Sequence, residues 1–347
     1  MERTVERLLG VRVVDRVDLG SSELAPVARL ILDRSYDGIG RTVIAKGRRL
    51  AEAGWGSSSD FLRNERLALD HLRGSGLAPT FLASTEHDEV VVLSDLGTGP
   101  TVQQLLFGDD PEAALQGLVA MARLAATLHS SVDPDFAAAH EVRFLDHPLD
   151  VWPSLVEAAA DLGFPPPGDV ELPQLADDLS RRTTFTHGDF TPNNVVLVDG
   201  EARLVDLEGA GRRHPGLDAA CLRLPFPQYG HWAVLPDHVL TQLDDTYRSA
   251  APDPAHEQMM ATGCAAWAIV RVSRLRLIAS TDQDPAEALR RRTQIVQTLT
   301  SAAATAMPVY PALSKWFEDL AGTMQLRWEE ARQPPRGFQA FRNFSNQ

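Results

Sequence analysis

The feature that most constrains the fold is a tight turn in the stretch FTHGDFTPNNVVLVDGEARLVDLEGAG. Apolar runs flank Asp199 and Gly200, and an Asp-Gly pair in that setting is a strong signal for a β-hairpin, here over residues 195–205. Partners across a tight hairpin have nearly constant summed residue numbers. Asn194 should therefore lie opposite Asp206 or the residue before it, at the same end of the ribbon.

The polar residues around this hairpin predict a cation site. A carboxylate and an amide oxygen that converge, as Asp206 and Asn194 should, suit a hard cation with oxygen ligands, Mg²⁺ above all. Asp189, in the entering loop, can stay off the metal and orient or deprotonate a hydroxyl nucleophile. Asp and Asn are also common turn formers, so each residue alone is more often structural. Their joint placement after His187 and Gly188 favours the chemical interpretation.

Length, charge and cysteine content limit the classes of protein to which this chain can belong. At 347 residues the chain is long for a single core, so two lobes are expected. A formal net charge of −14 argues against a nucleic-acid partner. The N-terminus lacks the apolar core of a signal peptide, and no run approaches the ~20 apolar residues of a membrane span. With two cysteines and no disulfide framework, we expect a cytoplasmic protein with no membrane partner, and nothing indicates its oligomeric state.

The predicted secondary structure changes from mainly strands to mainly helices near Gly97, Gly99 and Pro100. Before them, β-branched runs predict strands at 11–19, 27–33, 41–47, 81–85 and 89–96, with one helix near 60–73. After them, amphipathic patterns predict long helices at 110–130, 236–249, 254–280 and 285–306. The chain is therefore divided into a β-rich lobe, residues 1–95, and a helical lobe, residues 96–347.

Two motifs resemble those of a known family. HGDFTPNN, of the pattern H-G-D-x-x-x-x-N, followed by LVDLEGAG, resembles the catalytic and metal-binding segments of the aminoglycoside phosphotransferase and choline kinase-like family. The resemblance implies an α+β, bilobal protein-kinase-like fold, with an N-terminal antiparallel sheet plus helix and a larger, mainly helical C-terminal lobe. It implies ATP and Mg²⁺, with Asp189 as the base, Asn194 and Asp206 as metal ligands, and His187 bracing the loop.

Phosphoryl transfer in this fold needs a strand lysine, to hold phosphate, and a helix acid to position it. Lys46 ends the strand-like run TVIAK. Glu65 lies near the middle of an apolar helix stripe formed by Leu62, Leu69 and Leu72. A carboxylate in such a stripe is costly unless it is paired. We therefore predict an ion pair between Lys46 and Glu65, and the family resemblance assigns the same two residues.

The remaining site residues are assigned by analogy with the family. The nucleotide contacts are predicted to be Gly20, Ser21 and Ser22 in the phosphate-covering loop and Ser94, Asp95 and Leu96 in the hinge. Glu208, in the segment Asp-Leu-Glu, is a candidate to contact metal, its waters or substrate, with a surface acid as the alternative. Asp218 resembles a structural brace to the catalytic loop, and His129 a packed or capping residue.

The sequence thus predicts an ATP-dependent, Mg²⁺-requiring kinase that phosphorylates a hydroxyl of a small molecule, such as an antibiotic, an amino sugar or an amino alcohol. Acids after the metal segment favour a cationic acceptor. The arginines at 271–276 and 290–292 are assigned to surface ion pairs and not to function. Two alternatives stay open: a catalytically silent nucleotide-binding module, and a protein kinase, which the absence of D-F-G and A-P-E segments disfavours.

Overall fold

The computed structural model describes residues 1–19, 26–47, 58–87, 89–226, 233–280, 284–334 and 336–344. Its N-terminal part contains the strands β1 (Val13–Asp18), β2 (Val27–Leu32), β3 (Thr42–Gly47), β4 (Phe81–Ser84) and β5 (Val90–Ser94). They form one antiparallel sheet in the order β1-β2-β3-β5-β4, with helices α1 (Glu2–Leu9) and α2 (Ser58–His71) beside it. The predicted strands and the predicted helix are all present, whereas α1 was not predicted.

The alternation of side chains in β5 explains how both faces of the sheet are covered. Val92 belongs to an apolar cluster with Val5 and Leu9 of α1, so α1 covers one face. Val91 and Leu93 point the other way, into a cluster shared with α2 and with helices of the following part of the chain. Because that cluster runs across residue 95, the division into lobes at this position stays a prediction.

The rest of the chain is mainly helical. Its longer helices are α4 (Pro111–Ser131), α6 (Trp152–Asp161), α7 (Leu172–Arg181), α9 (Asp237–Ala250), α10 (His256–Val272), α12 (Pro285–Ala306) and α13 (Pro311–Arg327). Shorter ones are α3 (Val102–Leu106), α5 (Arg143–Asp146), α8 (Gly216–Ala219) and α11 (Leu275–Ala279). Within the described ranges, no helix has both the length and the apolarity needed to cross a membrane.

The helix predicted over 254–280 is interrupted. It divides into α10 and α11 at Ser273 and Arg274. The Ser273 hydroxyl donates to the carbonyl of Val270 at 2.6 Å, and the Arg274 N–H donates to the carbonyl of Arg271, three residues back. A serine side chain that bonds to a nearby carbonyl competes with the helical ladder, which gives a physical reason for the break.

The predicted hairpin is formed by β7 (Val195–Val198) and β8 (Glu201–Leu204). Asp199 and Gly200 have φ values of 51° and 82°, the left-handed pair that a type I′ turn requires. The N–H of Val205 donates to the carbonyl of Asn194 at 3.0 Å, so Asn194 lies opposite the residue before Asp206. A second short pair, β6 (Thr184–Thr186) with β9 (Gly211–Arg213), was not predicted and holds the two ends of the site segment together.

Candidate active site

Lys46 lies between two carboxylates. Its Nζ is 2.6 Å from Oε1 of Glu65 and 2.8 Å from Oδ1 of Asp206. The Glu65 side chain is only 1% exposed and that of Lys46 only 12%. Burial opposes the lysine charge, but Asp206 and Glu65 together raise the pKa of Lys46 above its usual value. The predicted ion pair between Lys46 and Glu65 is present. The contact between Lys46 and Asp206 also links the N-terminal sheet to the segment after the hairpin.

The loop before the hairpin is ordered by the imidazole of His187. Its Nε2 is 2.9 Å from the carbonyl of Val205, and its Nδ1 accepts the backbone N–H of Asp189 at 3.2 Å. These partners require a neutral ring with its hydrogen on Nε2. His187 is fully buried, so it fixes the direction in which the chain enters Asp189.

Asn194 orients the Asp189 carboxylate. Its Nδ2 donates to Oδ2 of Asp189 and to the Asp189 carbonyl, both at 2.9 Å. Desolvation raises the pKa of Asp189, and the charge of Asp206 raises it further, while the hydrogen bond from Asn194 opposes the shift. A carboxylate of raised basicity, held by an amide and facing a cavity, is suited to accept a proton.

Asp218 lies directly beneath this loop and is fully buried. Its carboxylate accepts the backbone N–H groups of His187 at 2.6 Å and Gly188 at 3.0 Å. His129 approaches the same carboxylate at 3.4 Å through Nε2, and its Nδ1 is 2.8 Å from the Tyr247 hydroxyl. Burial alone would raise the pKa of Asp218, but the hydrogen bonds from His129 and from the His187 backbone N–H lower it. Asp218 therefore holds the backbone of His187 and Gly188 in place, as a structural residue beneath the loop.

Gly188 permits two chain segments to approach closely. Its φ is +83°, and a Cβ there would lie 2.1 Å from the carbonyl oxygen of Gly209. No side chain fits at that distance, and a left-handed φ already disfavours one. The loop around Gly188 therefore contacts the segment after Asp206 backbone to backbone.

Replacing Gly188 with alanine should destabilise the protein by roughly 1–3 kcal/mol more than Gly200→Ala does, which is the usual cost of overpacking. Gly200 has nearly the same φ, +82°, but nothing lies within 4 Å of its Cβ position, so the matched pair separates the close contact from the backbone strain. Urea unfolding measures both variants. Equal losses of stability would contradict the close approach.

Two further residues position the segment after Asp206, and the sequence analysis missed both. Asn64, on α2, donates its amide to the carbonyls of Glu208 and Ala210, each at 2.9 Å. Arg213 donates to the carbonyl of Gly209 at 2.7 Å and forms a bidentate pair with Asp146. Both side chains are buried. Their partners are distant in sequence, and no local pattern identifies such contacts.

A cavity of about 610 Å³ lies between the sheet and the hairpin. Its polar lining includes Lys46, Glu65, Asn194 and Asp206, and its apolar lining includes Val27, Ile44, Leu93, Val196 and Val205. The hinge candidates Ser94, Asp95 and Leu96 border it as well. We name it the sheet-side cavity. Its combination of apolar walls and a charged end suits a ligand with a planar apolar part and a charged part.

The hinge candidates differ in their local bonding. Ser94 donates its N–H to the carbonyl of Thr80, and its hydroxyl accepts the Thr80 N–H, both at 2.8 Å. The Asp95 carboxylate forms a bidentate ion pair with Arg29. Ser94 therefore links two strands, and the Asp95 side chain holds the hinge to β2. The remaining predicted phosphate contacts, Gly20, Ser21 and Ser22, lie outside the described residues.

A second cavity, of about 220 Å³, lies on the other side of Asp206, and we name it the helix-side cavity. Asp189, Asp206 and Glu208 are part of its lining. The other walls are Phe61, Val142, Phe144, Leu145, Trp267, Val270, Arg271 and Arg274. Asp206 thus borders both cavities, whereas Lys46 borders only the first and Asp189 only the second.

The donor set fits a magnesium ion that shares its ligands with a bound phosphate. Within the described ranges, no group of three or more His, Cys, Asp or Glu side chains is placed to hold a metal. Asn194 and Asp206 nevertheless both border the sheet-side cavity and supply an amide and a carboxylate. Mg²⁺ often takes one or two protein carboxylates and completes its shell with phosphate and water, so this sparse set is compatible with it.

The fold is that of small-molecule kinases. It is similar to a thermostable mutant of aminoglycoside phosphotransferase APH(4)-Ia in apo form, with a TM-score of 0.52 and 16% identity, covering 89% of this chain and 99% of that one. It is also similar to an ADP-bound aminoglycoside phosphotransferase APH(2'')-Ib, with a TM-score of 0.52 and 11% identity over 93% and 97% of the two chains. A choline/ethanolamine kinase family protein from Mesorhizobium loti gives a TM-score of 0.52 at 14% identity, over 89% and 93%. None of the curated proteins compared by sequence matches the chain.

These likenesses and the sheet-plus-helices architecture show the protein-kinase-like fold that the resemblance implied. Residues 45–259, more than half of the chain, match the model of the APH phosphotransferase enzyme family. The chain belongs to this family, and the sequence-based assignment is confirmed.

Proposed function

We propose that the protein transfers the γ-phosphate of ATP to a hydroxyl group of a small molecule in a Mg²⁺-dependent reaction. The observation that carries the proposal is the pair of cavities that share Asp206. The sheet-side cavity has the lysine that a triphosphate needs, and the helix-side cavity has the buried carboxylate that an attacking hydroxyl needs. A donor and an acceptor bound in these cavities would meet at Asp206.

In the proposed reaction, the acceptor hydroxyl lies against Asp189 in the helix-side cavity. Its oxygen attacks the γ-phosphorus of ATP, a new oxygen–phosphorus bond forms, and the bond to the bridging oxygen breaks, so that ADP leaves. The hydroxyl proton passes to Asp189, whose raised pKa suits this role. His187, Asn194 and Asp218 act earlier, because they hold the loop in position through the contacts described above.

On the donor side, Lys46 would bind the phosphates and Glu65 would keep the lysine aligned. Asn194 and Asp206 would hold Mg²⁺, which when bound neutralises the phosphate oxygens. The backbone groups of Asp95 and Leu96 are the better candidates for the adenine edge, because the N–H and the hydroxyl of Ser94 both already bond to Thr80. We keep Gly20, Ser21 and Ser22 as the proposed phosphate contacts.

The test combines binding with turnover. Calorimetry with ATP in the presence and absence of Mg²⁺ measures donor binding, and ADP release is then followed with aminoglycosides, other hydroxylated antibiotics, amino sugars, choline-like alcohols and hydroxy acids. We expect Mg²⁺-dependent ATP binding and acceptor-stimulated ADP release. Binding of ATP without hydrolysis or transfer to any compound would overturn the proposal and favour the silent nucleotide-binding module.

Replacing Lys46 with methionine should weaken ATP binding by about 10- to 100-fold, because a charge-assisted contact to phosphate is lost. Glu65 would then be buried without its partner, so Lys46→Met/Glu65→Gln separates the loss of nucleotide contact from a loss of stability. Lys315→Met is the matched control, since Lys315 is exposed and pairs with Asp319 on the surface. Unchanged ATP affinity in the double variant, measured by calorimetry, would contradict the assignment.

A further inference from the structure

The helix-side cavity carries a cationic wall that the chain itself leaves incompletely paired. Trp267, Val270, Arg271 and Arg274 line it at helical spacing, from the last turns of α10 to just past its end. At 1.5 Å per residue the stripe runs for roughly 10 Å, from an apolar to a basic end. The two arginines were assigned to surface ion pairs from sequence, but the structure places them at this cavity.

Acidic side chains near this wall form ion pairs with other arginines. Arg276 pairs with Glu157 and Asp161, and Arg290 and Arg291 share Glu287. Arg271 donates to the amide oxygen of Gln294, a neutral acceptor. Among the described residues, the Arg274 guanidinium has no hydrogen-bond or ion-pair partner.

The electrostatics of this wall favour an added anion. Burial, and then the charges of Arg274, Arg291 and Arg290, lower the pKa of Arg271 to about 10. Partial burial and the charge of Arg291 lower the pKa of Arg274 as well. A bound carboxylate or phosphate would relieve this repulsion, and a guanidinium binds either group in a bidentate geometry.

Four of the five acids that favoured a cationic acceptor lie away from this cavity. Of Glu208, Asp218, Asp237, Asp244 and Asp245, only Glu208 borders the helix-side cavity as the structure describes it. Asp218 is buried under the catalytic loop, and Asp244 pairs with Arg223 and His256. Their placement gives no support to an amine-bearing acceptor.

The cavity is also lined by apolar and aromatic side chains. Phe144 and Trp267 lie with their ring centroids 6.1 Å apart, and Phe61, Val142 and Val270 complete this wall. Such a wall suits an apolar or planar ligand body. The lining therefore combines three kinds of group: carboxylates suited to a hydroxyl and a metal, aromatic and apolar side chains, and two guanidinium groups.

Resting on the proposed function, we propose that the acceptor is a small hydroxylated anion. Its hydroxyl meets Asp189, its body packs against Trp267 and Phe144, and its carboxylate or phosphate binds Arg271 and Arg274. Carboxylate and phosphate share the chemistry that two guanidinium groups recognise, and the experiment distinguishes them.

The test compares acceptors of different charge, and 3-phenyllactate with its amide is the pair matched in shape. ADP release is measured with 3-phenyllactate, its neutral amide and the cationic amino alcohol phenylalaninol, and with glycerol 3-phosphate as the phosphate-bearing arm. We expect at least one of the two anions to give a kcat/KM ten or more times that of the amide and the amine. Equal or better turnover of the amide or the amine would overturn the inference while leaving the proposed kinase function intact.

The arginines are tested with a matched control. Arg274→Gln, at an exposed position, should raise the KM for the favoured anion about 10- to 100-fold with a much smaller change in kcat. Arg276→Gln, nearby but outside the cavity, should leave KM unchanged, and Arg271→Lys should give an intermediate loss. An unchanged KM in Arg274→Gln would overturn the inference.

Direct binding separates the two proposals if turnover is absent. Calorimetric titration of 3-phenyllactate and glycerol 3-phosphate needs no phosphate transfer. Binding that weakens in Arg274→Gln and not in Arg276→Gln supports the anion site even if ATP gives no ADP, in which case only the kinase proposal fails. No binding of either anion at millimolar concentration, with ATP turnover retained on amines, overturns the anion site alone.

Discussion

Replacing Asp189 with asparagine should lower kcat by about 10²–10⁴, the usual contribution of a positioned general base. The variant keeps the shape of the side chain and an oxygen that can accept the hydrogen bond from Asn194, so ATP binding should change little. Steady-state kinetics and calorimetry on the same preparation give both values. Substantial turnover by Asp189→Asn would show that Asp189 is not the general base.

Asp199→Asn is the control for that substitution. It makes the same chemical change in the same segment, at an exposed turn position with φ of 51°, which asparagine also tolerates. We expect its kcat and its stability to match the parent protein. A comparable loss in both variants would indicate a general effect on the hairpin and not on the base.

The same carboxylate predicts the acid side of the pH profile. The base acts only when unprotonated, so kcat/KM should fall as pH drops through its pKa. Because burial and Asp206 raise that pKa, the fall should begin at a higher pH than the ordinary Asp value of about 3.9 would give. A kcat/KM profile reports the ligand-free enzyme. A fall confined to the ordinary Asp range would contradict the environment described for Asp189.

Replacing Asp218 with alanine should produce the largest loss of stability, about 2–6 kcal/mol. The substitution leaves the N–H groups of His187 and Gly188 buried without an acceptor, at about 1–3 kcal/mol each. Denaturant unfolding measures the loss. Asp245→Ala, on the exposed face of α9, should change stability by at most about 0.5 kcal/mol.

Asp218→Asn distinguishes two contributions of that carboxylate. The amide keeps one oxygen acceptor but turns an NH₂ group toward a backbone N–H, so we expect a smaller but clear loss of stability. Because Asp218 borders neither cavity as described, ATP affinity of the folded variant should remain close to that of the parent. A stable Asp218→Ala protein would show that the loop is held mainly by other contacts.

The parts of the site that are predictable from sequence depend on local rules. The Asp199-Gly200 turn specifies the hairpin register, because few residues adopt two successive left-handed conformations. The pairing of Glu65 with Lys46 follows from the helical period, which places a carboxylate inside an apolar stripe. In both cases a few neighbouring residues are enough to make the prediction, and the resemblance to the family points to the same residues.

The parts that are not predictable depend on which distant segments meet. Asn64 reaches carbonyls 144 and 146 residues away, and an asparagine on a helix gives no sign of such partners. Arg271 and Arg274 look like surface residues in sequence, because only the fold brings the end of α10 to a cavity beside Asp189. The break at Ser273 is a local event, but serine occurs within helices too often to predict it.

The position of Asp206, at the boundary of both cavities, has a consequence for protein engineering. Side chains of α10 border only the helix-side cavity, whereas those of β3 border only the sheet-side cavity. Under the proposed function, we expect substitutions on α10 to change acceptor preference without altering the nucleotide contacts. Substitution of Asp206, which borders both cavities, should instead change donor and acceptor binding together.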